Sequence, residues 1–465
     1  MWASHEARAA QNAQRMLDDG DWLLPRLFDG QVELQKPPGY YWLAAAVGKT
    51  RGGVDAVAVR LPAAVAGVLT VLLIWWHLKN RGRPIAAFLA GAMLAGAVHF
   101  TGTARVARID VPLACAVAAI VLGCREALDR GTGRLRSATL LTGVGFVAGI
   151  ALLLKGPIGV LLPAAAFGTY WLVERFPRRQ LILPAVGVGL VAVATAAPWY
   201  VWANAETDGE FFRSFFLYHH LNRAFGGAGA LAAHPWWFYG PRFAADFLPW
   251  TPLLVVALFR RWRGDADARF GLVWLVVMVV GLSVSRFKRA DYLLPAYGGA
   301  AIFLGCAIER WYRARSTRMQ TRAAMGFVAL LVLLPIAWVG FDRIVTSPEE
   351  AAREQRPFAD VIRAAAPAPQ AVTLFRVEAH LLVYHLGRPV HTLVEWDDLN
   401  SRLSQPGSHF VVTRAEFLDE CRRQIAWPVE VVARSEDVSR ARPLRPLVLL
   451  QIVSGPEPCP TVPRD

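Results

Sequence analysis

Long apolar runs separated by short basic segments dominate the chain. They cover residues 61–78, 86–100, 111–122, 140–154, 158–173, 181–202, 270–285 and 323–339. Crossing a bilayer takes about 20 mostly apolar residues, in a range of about 17–25. Several runs reach this with their flanking small residues, so the pattern predicts a polytopic α-helical membrane protein. Two stretches follow other rules. Before the first run, helical periodicity covers 5–17, Gly20-Asp21-Trp22 reads as a turn, and Pro37-Pro38 opens a second helical piece over 39–47. After about residue 345, short β-like runs at 372–375, 390–394, 410–413, 429–432 and 447–453 alternate with helical pieces such as 414–424. That alternation predicts a small α/β domain. Ser347-Pro348-Glu349-Glu350 predicts its first helix, with a capping Ser and acids at the positive end of the dipole.

Lysine and arginine stay on the cytoplasmic side in short loops, and this orients the runs. If the 61–78 helix runs from outside to inside, the inner loops 79–84, 125–136, 175–180, 260–269 and 310–322 hold 19 Lys+Arg. The outer loops 102–109, 155–157, 203–247 and 286–290 hold 9, although they are the longer set. The alternation places 1–60 and everything after Val339 outside. The domain expectation is therefore an outer segment 1–60, a transmembrane domain 61–340 with an outer loop 203–247, and an outer α/β domain 345–465. An outer N-terminal segment needs a helix to export it, so a first transmembrane helix is expected upstream of Met1.

Composition agrees: 55% of residues are hydrophobic and 18% charged, against about 25% charged in an average soluble domain. A net charge of +14 would point to nucleic acid in a soluble protein. Here the cations lie in clusters between apolar runs, which makes them topology signals and contacts for membrane lipids, and no nucleic-acid partner is expected. Cys115, Cys124 and Cys306 sit in or beside apolar runs as packing residues. Cys421 and Cys459 would share an oxidising compartment, where a disulfide and two free thiols both stand as readings. No CxxC or Cys/His metal spacing occurs.

The polar residues of the outer segments are the candidates for chemistry. Asp110 opens an apolar span; it is either a simple helix-start acid or a carboxylate facing an active cavity, where it acts as base or binds an acceptor. His5, Glu6 and Arg8 form either a solvated face or a polar cluster of a site. Lys36 precedes Pro37-Pro38 among aromatics and suits either a lipid phosphate or simple snorkelling at the interface. Lys155-Gly156-Pro157 and Ser285-Arg286-Phe287-Lys288-Arg289 put cations on the outer face, against the trend. They make a phosphate site or a headgroup patch. The outer loop adds His219, His220, Asn222, Arg223 and His234-Pro235-Trp236-Trp237, which suit carbohydrate or an aromatic belt. All of these lie on one face under the topology derived from charge.

These residues also carry a family resemblance. Glu6-x-Arg8, Met16-Leu17, Gly20-Asp21-Trp22-x-x-Pro25 and Lys36-Pro37-Pro38-x-Tyr40-Tyr41-Trp42 resemble the opening of ArnT-like and protein O-mannosyltransferase-like glycosyltransferases, family 39, with the GT-C fold. Arg108-Ile109-Asp110-x-Pro112, Lys155-Gly156-Pro157, Pro198-Trp199-Tyr200, His234-Pro235-Trp236-Trp237, Pro249-Trp250 and Lys288-Arg289-x-x-Tyr292-x-x-Pro295 follow in the family's order. The resemblance covers about residues 5 to 300. It implies an inverting transferase of the bacterial inner membrane, acting as a monomer with its C-terminal domain periplasmic. The donor would be a polyprenyl-phosphate sugar and the acceptor a lipid, glycan or protein. It further implies that Asp110, Glu6 and His5 are the catalytic candidates. Arg8, Lys36, Lys288, Arg289 and Tyr292 would bind the donor phosphate. Tyr40, His220, Arg223 and His234 would face the sugar and the acceptor. Two departures stand out. His5-Glu6 occupies the place of the family's Asp-Glu pair, so Glu6, Asp110 or His5 takes the acidic role. Gln35 replaces a Glu that contributes to a metal site in ArnT, so no cofactor or required metal is expected. A transporter or flippase of lipid-linked glycans, or a non-catalytic relative, are the alternative readings.

Overall fold

The computed structural model describes residues 4–129, 131–177, 179–222, 234–259, 264–439, 441 and 443–455, with the side chains of 179 and 219–222 also left aside. Its Cα atoms fall into two compact units: Met1–Glu33, Gly52–Ala56 and Ile336–Asp465 form one, and Leu34–Arg51 with Val57–Pro335 the other.

The larger unit is a helical bundle. Its helices are α2 (Gly39–Arg51), α3 (Ala56–Asn80), α4 (Pro84–Gly96), α5 (Val98–Ala104), α6 (Asp110–Ala127), α7 (Arg134–Lys155), α8 (Ile158–Val173) and α9 (Arg179–Glu206). There follow α10 (Tyr239–Asp246), α11 (Thr251–Leu258), α12 (Ala266–Ser283), α13 (Tyr297–Arg313) and α14 (Thr317–Phe341); α1 is Ser4–Asp19 of the other unit. Among the described residues six helices are long and apolar enough to cross a membrane, or seven if α4 and α5, bent by 66°, form one broken span. The chain is a multi-span membrane protein. Leu61, Leu69, Leu183, Leu190, Val328 and Leu333 are exposed on these helices, which is the state that lipid, not water, favours.

Small residues decide which helices touch. Gly145 and Gly149 lie one turn apart on α7. A Cβ on Gly149 would stand 2.4 Å from Thr195 Cβ, and one on Gly145 2.6 Å from Val191 Cβ. The bare backbone thus lets α7 and α9 approach closely, as small-xxx-small pairs do in membranes. Gly271 of α12 meets the backbone of Gly299 and Phe303 on α13 in the same way. That helix, buried over most of its length, is absent from the apolar runs read off the sequence. Its first half is rich in Gly and Ala, whose weak hydrophobicity hides a helix packed on all sides.

The smaller unit contains a five-stranded mixed sheet in the order β2-β1-β3-β5-β4. The strands are β1 (Val372–Phe375), β2 (His391–Leu393), β3 (Gly407–Arg414), β4 (Val429–Arg434) and β5 (Leu447–Ser454). β1 runs parallel to β2 and β3, and β5 antiparallel to β3 and β4. Helices α16 (Arg356–Ala365) and α17 (His380–Leu386) bury Phe358, Ile362, Leu382 and Leu386 on one face. Helices α18 (Trp396–Leu403) and α19 (Leu418–Gln424) bury Leu399, Leu403, Leu418 and Cys421 on the other. Covering both faces makes the central strands continuously apolar instead of alternating. The α1 helix belongs here as well: Gln11 Nε2 donates to the His380 carbonyl at 2.8 Å, and its Oε1 accepts from the Phe28 amide at 3.3 Å.

One predicted start is corrected. Ser347 is already helical, with φ −64° and ψ −43°, and α15 (Ser347–Arg353) continues a π-helical stretch, Asp342–Thr346. The preceding turns supply the carbonyl partners that a capping side chain would otherwise replace. Cys421 is buried as a free thiol, and burial raises its pKa to about 11. Cys459 lies outside the described residues.

Candidate active site

Two helix ends build the core of the site. Asp110 stands in the first turn of α6, where the positive end of the helix dipole favours a carboxylate. Lys155 is the last residue of α7, where the negative end favours a cation. The chain stops helical winding at Gly156, whose φ of 77° suits glycine, and α8 begins two residues later. Because α6 and α7 are packed antiparallel neighbours, these two ends meet, and the Lys155 ammonium donates a short hydrogen bond to Asp110 Oδ1. Asp110 is 5% exposed, so a buried carboxylate and its counter-ion form one unit.

Lys155 opens onto a cavity of about 250 Å³. Lys36, Gln35 and Tyr292 share its lining, and Leu113, Leu162 and Phe287 give it apolar walls. The Lys155 Nζ stands 4.0 Å over the Tyr292 ring, a cation–π contact between two lining residues. Beside it a second carboxylate, Asp291, gathers two guanidinium groups and an imidazole. Arg108 Nη1 donates to Asp291 Oδ2 at 2.7 Å, Arg289 Nη2 lies 3.4 Å from the same oxygen, and His99 Nε2 is 3.5 Å from Oδ1. The arrangement is a largely apolar pocket with two lining cations, Lys36 and Lys155, the second of them paired with the buried Asp110.

The other residues singled out from sequence take various places. Lys288 is 3% exposed and its ammonium donates to the carbonyls of His234, at 3.1 Å, and Ser285. It pins two loop segments together with two of its three donors, and burial lowers its pKa. The Arg289 amide donates to the Tyr239 hydroxyl at 3.3 Å, which fixes the strand-like approach to Tyr292. The His234 ring stacks on Phe238 at 4.2 Å. Tyr40 is buried and its hydroxyl donates to the Val59 carbonyl at 2.6 Å, so it braces α2 against α3. His5, Glu6 and Arg8 belong to the other unit, on α1. There Glu6 is fully buried and Arg8 Nη2 donates to Glu33 Oε2 at 2.7 Å. Arg223, and the side chain of His220, lie outside the described residues. Among the described residues no group of three or more His, Cys, Asp or Glu lies together as metal ligands would.

Sequence reading missed Asp291, and it named Arg108 only as part of a motif. The available signal was the acid two positions after Arg289: a carboxylate so close to exposed cations has an evident partner. Its link to Arg108, 183 positions away, is invisible without the fold.

Residues 35–202 match the family model described as dolichyl-phosphate-mannose-protein mannosyltransferase. The chain is 32% identical, over 356 residues, to undecaprenyl phosphate-alpha-4-amino-4-deoxy-L-arabinose arabinosyl transferases of Pseudomonas paraeruginosa and Pseudomonas aeruginosa. Those alignments cover 75% of this chain and 63% of each relative; the chain thus spans about 63% of the length of these curated relatives. In three dimensions it is similar to the crystal structure of ArnT from Cupriavidus metallidurans bound to undecaprenyl phosphate, with a TM-score of 0.77 at 18% identity, covering 97% of this chain and 94% of that one. The archaeal oligosaccharyltransferase AglB from Archaeoglobus fulgidus is similar at a TM-score of 0.58 and 12% identity, covering 91% of this chain and 66% of that one.

Proposed function

Since the chain is ArnT-like and carries the GT-C fold, we propose that it transfers a sugar from a polyprenyl-phosphate donor to an acceptor at the outer face of a bacterial inner membrane. The observation that carries this reading is the Lys155–Asp110 pair, whose lysine lines an apolar cavity together with Lys36 and Tyr292. A polyprenyl phosphate is an amphiphile with a dianionic head, and it complements a greasy pocket with a cationic end. The relatives' names support an undecaprenyl-phosphate-linked 4-amino-4-deoxy-L-arabinose as the donor, and a lipid is the acceptor in this reading. The packing of α1 with the α/β sheet in one unit supports a common, periplasmic side for both.

The chemistry follows from charge. The acceptor hydroxyl gives up its proton, its oxygen attacks the anomeric carbon, and the bond from that carbon to the phosphate oxygen breaks. The leaving polyprenyl phosphate gains negative charge in the transition state, where fixed cations help most. In this reading Lys155 and Lys36 take up that charge, with Arg108 held beside them by Asp291. The pairing of Lys155 has a further consequence. When the donor phosphate draws the Lys155 ammonium towards itself, Asp110 loses its partner and becomes a stronger base for the acceptor proton. Donor binding thus arms the base.

The test is sugar transfer by the purified full-length protein from undecaprenyl-phosphate aminoarabinose to lipid A, followed by mass spectrometry. Asp110→Asn should lower transfer by roughly 10²–10⁴-fold without weakening donor binding, whereas Lys155→Met should weaken donor binding as well. Full transfer by Asp110→Asn would remove that residue from the mechanism. The transporter reading fits less well, because the charged groups gather at helix ends and not near a midplane.

A further inference from the structure

At the end of the bundle that the positive-inside bias assigns to the cytoplasm, a different site takes shape. Helix α14 is apolar yet has no buried residue along its 25 positions. It touches its unit at separate points. The Phe327 ring meets Phe88 at 6.1 Å and Trp250 at 5.8 Å. Nearer the helix start, Gln320 Nε2 donates to the carbonyls of Tyr312, at 3.1 Å, and Arg315, at 3.0 Å. Between α14 and the faces of α4, α11 and α13 runs a groove of about 770 Å³, walled by residues such as Ile85, Leu253, Val256, Ile308 and Ala324. That size lies within the roughly 300–1,000 Å³ of ligand pockets.

The groove's basal rim is cationic. Residues adjacent in sequence to its walls, Arg83, Glu309, Arg310 and Arg313, line a second pocket of about 590 Å³. Glu309 is already matched by Arg83 at 2.7 Å and Arg313 at 2.9 Å. Asp265 is matched by Arg83 at 2.8 Å and Arg310 at 3.2 Å. The segment 310–322 holds five arginines and no acid, and the Arg310 and Arg313 side chains are 43% and 58% exposed. Trp311 and Tyr312 stand at the same level, as interfacial aromatics do. The whole length of α13, about 25 Å at 1.5 Å per residue, separates this rim from the Lys155–Asp110 end, so the rim is no part of the candidate active site.

We propose that this groove binds one anionic phospholipid of the inner leaflet. Its acyl chains fill the space between α14 and the bundle, and its phosphate sits against Arg310 and Arg313. The excess of arginine over acid favours an anionic headgroup over a zwitterionic one, and the lipid serves as the missing packing of α14. The inference rests on the membrane fold and is independent of the transferase reading.

The experiment is native mass spectrometry of the full-length protein, stripped of lipid in detergent and titrated with phosphatidylglycerol, phosphatidylethanolamine or undecaprenyl phosphate. One phosphatidylglycerol should bind in preference to phosphatidylethanolamine. Replacing both exposed arginines, Arg310→Gln with Arg313→Gln, should weaken it by roughly fivefold per arginine. Ala324→Phe, which fills the groove, should displace it without touching a charge. Equal binding of both phospholipids, an unaltered affinity in the double arginine variant, or displacement of phosphatidylglycerol by equimolar undecaprenyl phosphate would each overturn the proposal.

Discussion

At the residue scale the site turns on two carboxylates with different duties. Asp110 is held by the single ammonium of Lys155, whereas Asp291 is held by guanidinium groups and a histidine. On the proposed mechanism Asp110→Asn preserves shape and removes the base, so transfer in a purified assay should fall roughly 10²–10⁴-fold, the usual worth of a general base. Asp291→Asn should act by letting Arg108 and Arg289 drift. A misplacement of about 1 Å costs on the order of 10²-fold in turnover, and Arg108→Lys should reproduce part of that loss, because a point charge cannot copy a planar fork. If Asp291→Asn and Arg108→Ala lower turnover additively in a double-mutant cycle, the two do not work as a pair. Asp110 and Lys155 were both legible as charges at the ends of apolar runs. Their pairing was not, because 45 positions separate them and only the antiparallel docking of α6 on α7 brings the ends together.

At the element scale, small residues set the helix contacts. In Gly149→Leu the first added carbon already meets Thr195. The variant should lose at least about 1–3 kcal/mol to overpacking, seen as a lower midpoint of thermal unfolding in detergent. Gly143, whose added Cβ would meet nothing within 4 Å, should accept Ala with little change. The long apolar runs and the five strand segments were readable because each repeats a simple period or fills a buried layer. No apolar run marked α13, although the expected loops 286–290 and 310–322 on opposite sides require a crossing there, because Gly298, Gly299 and Gly305 matter through closeness to their neighbours and contribute little hydrophobicity. The Ser347 cap failed for a related reason: local chemistry named a start, but the helical chain ahead of it ran on.

At the scale of the whole molecule, each unit has its own lever. In the bundle, Arg125 is 5% exposed, donates to Asp267 Oδ1 at 2.5 Å and lies 4.1 Å over the Phe270 ring. Asp267 also binds Arg81 at 2.7 Å. This network ties the C-terminal ends of α3 and α6 to the start of α12, and Asp267 keeps Arg81 and Arg83 when Arg125 is removed. Arg125→Leu should therefore cost about 1.5–3 kcal/mol, the worth of a hydrogen bond to a charged group, measured as loss of monodisperse protein on heating. In the α/β unit, burial depresses the pKa of His385 to about 4 and lowers those of His380 and His391. A depressed folded-state value means that the unfolded chain takes up protons first as pH falls. The unit should therefore be fully stable above about pH 6.5, and it should lose stability progressively as pH falls towards about 4. For His385 the loss is at most about 3 kcal/mol, less what solvent screens. Near-UV circular dichroism against temperature at several pH values checks this, and His385→Gln should flatten the trend.

The sequence alone determined that the chain is a multi-span membrane protein and that an α/β layer follows its helices. Those properties come from local and additive quantities: apolar length and strand period. Charge per loop adds an expected direction for the helices, and with it the expectation that the candidate polar residues share one face. Only the tertiary structure decided which charges meet. Lys155 could have been a headgroup cation and Asp110 a helix-start acid. Their contact, the Asp291 cluster and the groove beside α14 arise from side chains distant in sequence, held together by bare glycine contacts and buried ion pairs. Such pairings depend on relative helix position to within an ångström or two, and no local pattern encodes that.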